Sequence, residues 1–510
     1  MLSLDGSPLS VSDLVAVARD GASVEVGEAA RHRMAPAHAL IAHLDAEGGP
    51  VYGVTTGFGA LADRSIDPEE RTRLQHAVVR SHTAGMGPPL APEVVRGMML
   101  LRARSLTAGH SGVRPEIPEA ICAMLRAGVA PWVPEHGSLG ASGDLAPLAH
   151  AAAALTGDGW VLDGHGGRRP AAAALAEAGL APIDLGPKEG LALINGTEGM
   201  TAILGLAIHD AEALLCALDC ACALSVEALL GTPRPFDAEV VALRPAEGQA
   251  ASAANLRSLL DGSPIVASHR TSLHAVQDAY SLRCAPQVHG AARDVLEFCR
   301  ATVTREMASV VDNPVVLAGR GELFSTGNFH GQALAYAADM LASICADTAA
   351  ISERRANRLL DPARSRGLPA FLSPEPGLNS GLMIAQYTAA SCVTQLRQMA
   401  APHAVHSLDT SAGQEDHASM GFAAALRSRR SLELVRQVVA VEIVCACQAV
   451  ELRAPLHPGP ATAALLASLR QRVAHLDADR PLAPDLEAAD EWLGSGAWRA
   501  AVEAVTGALR

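Results

Sequence analysis

The run Gly137-Ser138-Leu139-Gly140-Ala141-Ser142-Gly143-Asp144-Leu145-Ala146-Pro147-Leu148-Ala149-His150 decides the reading of this chain. Its centre, Ala141-Ser142-Gly143, can build a ring from its own backbone. The amide nitrogen of Gly143 can attack the carbonyl carbon of Ala141 and expel water. Ser142 can then lose its hydroxyl as a second water. The product is a five-membered ring with an exocyclic methylene, an electrophile made from protein alone. Gly143 lacks a Cβ, so its nitrogen can approach in a conformation that other residues resist. Ala141 is small and keeps the ring accessible, and Ser142 alone carries a hydroxyl to eliminate. Gly137 and Gly140 are expected to loosen the turn ahead, and Pro147 to stop regular structure behind.

An isolated Ala-Ser-Gly also occurs in ordinary glycine-rich loops, so the neighbours matter. A nucleophile elbow needs Gly-x-Ser-x-Gly. Asp144 stands two residues after Ser142, which disfavours a serine hydrolase. A dinucleotide fingerprint needs Gly-x-Gly-x-x-Gly, and glycines at 137, 140 and 143 do not supply it.

Composition narrows the remaining classes. At 510 residues the chain exceeds one compact core, so two or three subdomains are expected. Aromatic residues are 3% against 49% hydrophobic, so the core must come from Ala, Leu, Val and Ile, which favours close-packed helices. A net charge of −14 without a basic run argues against nucleic acid as the main partner. Met1–Ser10 has no basic or apolar stretch of the signal-peptide kind. The apolar stretches after 200 and after 430 are broken by Asp210, Glu212, Asp219 and Glu442, so no membrane span is expected. Cys216, Cys220, Cys222, Cys345, Cys445 and Cys447 lie in apolar helical segments without zinc spacing. That fits free thiols in a reducing cytoplasm. His403 and His406 lack the glutamate of a zincin motif, and no metal is expected.

Gly and Pro punctuate the first 200 residues, where short helices are predicted at Pro92–Ser105 and Pro118–Ala127, each with proline in its first turn. Beyond that the pattern changes to long helices: Thr201–Leu230, Ala291–Val311, Gly331–Asp361, Gly381–Ala400 and Ser419–Ala454. Each stops at or near a proline. Leu334, Ala337, Leu341, Ile344, Thr348 and Ile351 alternate steps of three and four, the seam of a helical bundle. Helices of about 30 residues run roughly 45 Å. The expected fold is therefore mainly α. An elongated long-helix bundle over 201–510 would also mediate oligomerisation, behind a smaller, loop-rich N-terminal domain over 1–200.

Three further islands carry chemistry-bearing side chains. Val51-Tyr52-Gly53-Val54-Thr55-Thr56-Gly57-Phe58-Gly59 reads either as a surface turn with one aromatic anchor or as an active-site loop with Tyr52 as base. Gln277-Asp278-Ala279-Tyr280-Ser281-Leu282-Arg283 reads as a polar connection or as a carboxylate site. There Arg283 would make two parallel hydrogen bonds, with Tyr280 and Gln277 as further donors. Gln414-Glu415-Asp416-His417 reads as a charge cluster at a helix start or, with His82, as recognition of a ring bearing nitrogen donors and acceptors. Asn195 and Phe329 sit in stretches that read as turns, with Phe329 a candidate pocket wall.

These islands, in this order and spacing, resemble the aromatic amino acid ammonia-lyases, most closely the histidine-specific members, from about residue 10 to about residue 500. The resemblance implies the aspartase/fumarase-like helical fold, although the fumarase signature loop is not present. It implies that Ala141, Ser142 and Gly143 form a 4-methylidene-imidazol-5-one (MIO) group, with no dissociable cofactor. It assigns Tyr52 as base and Tyr280 as a catalytic residue. Asn195, Gln277, Arg283 and Phe329 become substrate-binding residues, Glu415 the imidazole contact and His82 the selectivity residue. The implied reaction takes L-histidine to trans-urocanate and ammonia, in a homotetramer whose sites each draw on three chains. Tyrosine-specific relatives have His-Leu in place of Ser81-His82 and lack the Gln414–His417 cluster. Thr55 stands where many histidine enzymes have Asn, and Gly413 stands at a variable position. Alternatives are a tyrosine or phenylalanine ammonia-lyase, a 2,3-aminomutase using the same ring, or a catalytically silent helical oligomer. The joint presence of Ser142, Tyr52, Arg283 and Asn195 speaks against the last.

Overall fold

Alanine and leucine at helical spacing build most of this chain, and the longest helices are those the sequence marks. The computed structural model describes residues 1–61, 63–271 and 275–510. Long helices run over Glu198–Ala228, Ala285–Ala308, Gln332–Leu360, Met383–Met399 and Gly421–Glu451, and Pro92–Thr107 and Glu116–Arg126 match the expected short pair. Strands are short and pair only two by two among the described residues. The fold is mainly α, as expected. On Gln332–Leu360 the seam positions Leu334, Ala337, Leu341 and Thr348 are buried, while Ile344 and Ile351 are half-buried.

Two expectations need correction. Pro147 does not stop regular structure: it lies inside the helix Leu145–Leu155. It sits in the first turn, where the missing N–H has no intrahelical partner to lose. The second long helix begins at Ala285, six residues before the expected start. Pro286 again occupies a first turn, and a short helix, Tyr280–Arg283, precedes it.

The chain forms two compact units: Met1–His209 with Cys299–Asp339 and Pro402–Leu426, and Asp210–Phe298 with Met340–Ala401 and Arg427–Arg510. The change in composition predicts one break at 200/201; the observed division falls inside four long helices. In the first unit, Pro92–Thr107 is buried continuously from Gly97 to Thr107. A helix apolar or paired on every side belongs in a core. Arg104 on this helix donates to the carbonyls of Gly6, Ser7, Ala308 and Ser309.

In the second unit the core holds a polar network. Arg355 and Glu442, both fully buried, form a two-pronged ion pair at 2.5 and 2.8 Å. Ser225 and Ser352 donate to the same carboxylate. Nearby, buried Asp219 accepts from Ser252, Asn255 and Arg293 and meets His289. By length and composition alone, Glu198–Ala228 and Gln332–Leu360 could cross a membrane, but their apolar windows are 78% and 56% buried within the protein. The Asp219 bonds fit a core helix. All ten cysteines are free and nine are buried. Burial pushes the thiols of Cys122, Cys222, Cys299 and Cys447 up to about 12, so they stay protonated near neutrality.

Removing one partner of the Arg355–Glu442 pair strands a buried charge. Arg355→Met should cost about 3–5 kcal/mol, and the double variant Arg355→Met/Glu442→Gln should recover part of that loss. Thermal and denaturant unfolding of the three proteins checks both outcomes.

Candidate active site

The Gly137–Asp144 loop is fixed by backbone contact. Gly143 has φ +73° and pairs with Gly196. A Cβ at 143 would overlap the Gly196 carbonyl. The Asp144 N–H donates to that carbonyl at 2.7 Å. Position 143 is therefore closed to side chains twice, by φ and by space. Gly140, at φ +66°, is tight for another reason: its carbonyl accepts from the Ser419 hydroxyl, while the Met420 N–H donates to the Leu139 carbonyl at 2.8 Å. This glycine permits close packing rather than looseness.

Ala141 is buried and Ser142 is half-buried. The Ser142 hydroxyl donates to Glu415 Oε1 at 2.9 Å. Glu415 is itself held: its Oε2 accepts from the Thr410 hydroxyl, and its backbone pairs with Thr410 across a tight turn. These features suit a ring built from 141–143. The glycine has neither a Cβ nor room for one, and the only hydroxyl of the three faces a fixed carboxylate.

Asp144 was not singled out from sequence. It stands just ahead of Leu145–Leu155, where an acidic residue normally caps its own helix. Its carboxylate instead accepts from the Met200 N–H at 2.8 Å and from Ser138 Oγ at 2.9 Å. It thus caps the distant helix Glu198–Ala228. Burial pushes its pKa up to about 7, against the lowering effect of these donors.

Asn195 follows the short helix Glu189–Ile194 and is buried. Its carbonyl accepts from Arg102 Nη1 at 2.9 Å, and the same nitrogen reaches Glu198 Oε1 at 2.8 Å. Its side-chain Oδ1 is buried with no donor among the described residues. Arg102, also missed from sequence, lies within a stretch that reads as plain helix, so no local signal distinguishes it.

Tyr52 is half-buried, stands edge-on to Phe58 with ring centres 6.3 Å apart, and accepts from the Gly59 N–H at 3.2 Å. The short turn Gly59–Leu61 of this loop packs on Ser411–Gly413, which ends two residues before Glu415. Thr55 points inward, donating to Gly49 O and accepting from Val51 N. It shapes the loop. His82 ends the helix Arg71–His82, with Nδ1 2.8 Å from the Val78 carbonyl. A carbonyl only accepts, so the proton of a neutral ring sits on Nδ1 and Nε2 is left as an acceptor. The following turn reaches the loop region: the Gly85 N–H donates to His150 Nε2. Phe329 lies on a turn whose next residue, His330, contacts the His417 carbonyl at 3.2 Å, with ring centres 5.5 Å apart.

Ala141, Ser142, Gly143, Tyr52, His82, Asn195, Phe329 and Glu415 all lie in the first unit, where Ser142 meets Glu415 and Gly143 pairs with Gly196 beside Asn195. Gln277, Tyr280 and Arg283 belong to the second unit. There the Arg283 guanidinium stacks 4.5 Å over the Tyr280 ring. Arg283 Nε is buried without a partner among the described residues, and Tyr280 is 71% exposed.

Comparison with known proteins finds relatives over nearly the whole chain. The sequence profile of the aromatic amino acid lyases matches residues 9–471. The chain is similar to histidine ammonia-lyase from Streptomyces avermitilis, with 49% identity over 504 residues covering 99% of this chain and 98% of that one. Among solved structures it resembles tyrosine aminomutase from Streptomyces globisporus, at TM-score 0.96 and 37% identity with full coverage of both chains. It also resembles histidine ammonia-lyase from Trypanosoma cruzi, at TM-score 0.91 and 38% identity, covering 99% of this chain and 95% of that one.

The Asp144 environment gives a pH prediction. Its folded pKa is raised to about 7, above the ~3.9 of an unfolded chain. Its contribution to stability is thus full at acid pH and lost as pH rises towards about 7, at up to ~1.4 kcal/mol per pH unit. Thermal midpoints of wild type and Asp144→Asn, compared between pH ~5 and ~8, should show a decline with rising pH in the wild type that the variant lacks.

Proposed function

We propose that this chain, which belongs to the aromatic amino acid lyase family, removes ammonia from L-histidine to give trans-urocanate. The observation that carries the reading is the Ser142 hydroxyl held at 2.9 Å from Glu415 Oε1. That carboxylate lies beside the residue whose chemistry makes the electrophile. With His82 Nε2 it offers two acceptors, which suit a ring presenting N–H donors. A phenyl ring would leave Glu415 Oε1 without a donor once the Ser142 hydroxyl is eliminated.

The MIO group of Ala141-Ser142-Gly143 would supply an electrophile that makes the amine a better leaving group. The other groups act on the rest of the substrate. Tyr52 takes the β-proton, in a loop braced by Phe58 and Gly59. Arg283 binds the carboxylate, with Gln277 and Asn195 in support, and the stranded Asn195 Oδ1 finds a donor in the bound substrate. Tyr280 stabilises developing negative charge. Phe329 forms a wall, and Glu415 and His82 hold the imidazole.

A homotetramer with shared sites fits the exposure of Gln277 and Tyr280, and of Tyr336, Met340, Ile384 and Tyr387 on two helices. A cytoplasmic location fits the ten free cysteines. The likeness to tyrosine aminomutase favours one second reading, a 2,3-shift of the amine on an aromatic amino acid. A panel of histidine, tyrosine and phenylalanine separates the two.

Purified protein given L-histidine should produce urocanate absorbance and ammonia in equal amount. A cinnamate or coumarate band, or a β-amino acid, from the other substrates would overturn the assignment. Tyr52→Phe should bind histidine but lose about 10²–10⁴-fold in kcat. Ser142→Ala and Arg283→Met should each be nearly inactive. Mixing these two under subunit exchange should restore activity if sites are shared, and restore none if each chain is self-sufficient.

A further inference from the structure

Gln75 lies on the helix Arg71–His82 and is fully buried. Its amide makes three hydrogen bonds to two other elements. Nε2 donates to the Gly53 carbonyl at 3.2 Å. Oε1 accepts from the Gly190 N–H at 3.0 Å and from the Leu191 N–H at 3.3 Å. Gly53 follows Tyr52. Gly190 and Leu191 open the helix Glu189–Ile194, which ends at Asn195. His82 lies seven residues beyond Gln75, two turns along on the same face.

The helix Glu189–Ile194 has no side-chain cap of its own, because Lys188 precedes it in a left-handed conformation. Gln75 Oε1 supplies that cap from another helix, on the second and third amides, the usual target of a capping oxygen. The backbones are also in contact. A Cβ on Gly190 would overlap the Gln75 carbonyl, and one on Gly53 would overlap the Leu191 side chain. The joint therefore has little room to shift. Its chemistry is specific: one flat group must accept on one side and donate on the other. Leucine or methionine does neither, and an ionised glutamate only accepts.

We propose that Gln75 is a positioning residue for Tyr52, fixing the start of its loop against the helices that carry His82 and Asn195. The proposal rests on the lyase reading above, since that reading makes Tyr52 the base. A base that acts only in proton removal affects the transition state, so misplacing it lowers kcat and spares KM.

The decisive variant is Gln75→Glu. It keeps the shape and both acceptor bonds, and loses the donor to Gly53 only while ionised. Burial against a carbonyl raises the acid's pKa, and the protonated form restores the donor. Relative to wild type at each pH, kcat for histidine should fall about tenfold or more at alkaline pH, with KM unchanged, and the deficit should shrink as pH is lowered. Gln75→Met should show the same deficit at every pH. Hydrogen exchange needs no substrate: the peptide over 51–59 should exchange faster in Gln75→Met, while Gly421–Glu451 is unaffected. Wild-type kcat in both variants, a rise in KM alone, or unchanged exchange at 51–59 would overturn the proposal. Loss of folded protein in both would assign Gln75 to stability and overturn it too. If the wild type fails on all three amino acids, the lyase reading falls, while the exchange result still decides whether Gln75 holds the loop.

Discussion

The contact of Gly143 with Gly196 is the constraint on which the site depends. It leaves no space for a side chain at 143, fixes a left-handed backbone there and delivers the Asp144 amide to the Gly196 carbonyl. Asp144 then caps Glu198–Ala228 through the Met200 amide. One short loop thus ties the ring-forming tripeptide to the start of a 31-residue helix. From the other side, Arg102 holds the Asn195 carbonyl and Glu198. Such a site is held by backbone and buried charge, which are stiffer than surface side chains.

Around that anchor the remaining groups arrive on short elements. Helix ends carry His82 and Asn195, and tight turns carry Glu415 and Phe329. Tyr52 stands on a loop whose position also depends on neighbours such as Gln75 and the Ser411–Gly413 turn. The second unit contributes differently. Its buried Arg355, paired with Glu442, also reaches the Ser281 carbonyl at 3.3 Å, inside the Tyr280–Arg283 segment. Polar core and site residues are thus linked there as well.

The long helices were legible because their signal is local: apolar spacing in the interior and proline or glycine at the ends. The tripeptide was legible because its chemistry needs particular residue types in order. Pro147 misled because a proline reads as a stop when the start of its helix is not visible. The beginning of Ala285–Ala308 was hidden for the same reason. Gln75, Arg102 and Asp144 were not legible as supports. Each acts on a backbone group tens of residues away, and their local sequence is ordinary helix or an ordinary cap. The break expected at 200/201 follows a change in composition, whereas the observed units gather segments distant in sequence.

The central claim is that this chain makes its own electrophile from Ala141-Ser142-Gly143. Mass spectrometry of the peptide containing Gly137–His150, excised from freshly purified protein, tests it most directly. The expected peptide is lighter than its sequence by two waters, with the change localised to residues 141–143. A peptide of unmodified mass from well-folded protein would contradict it.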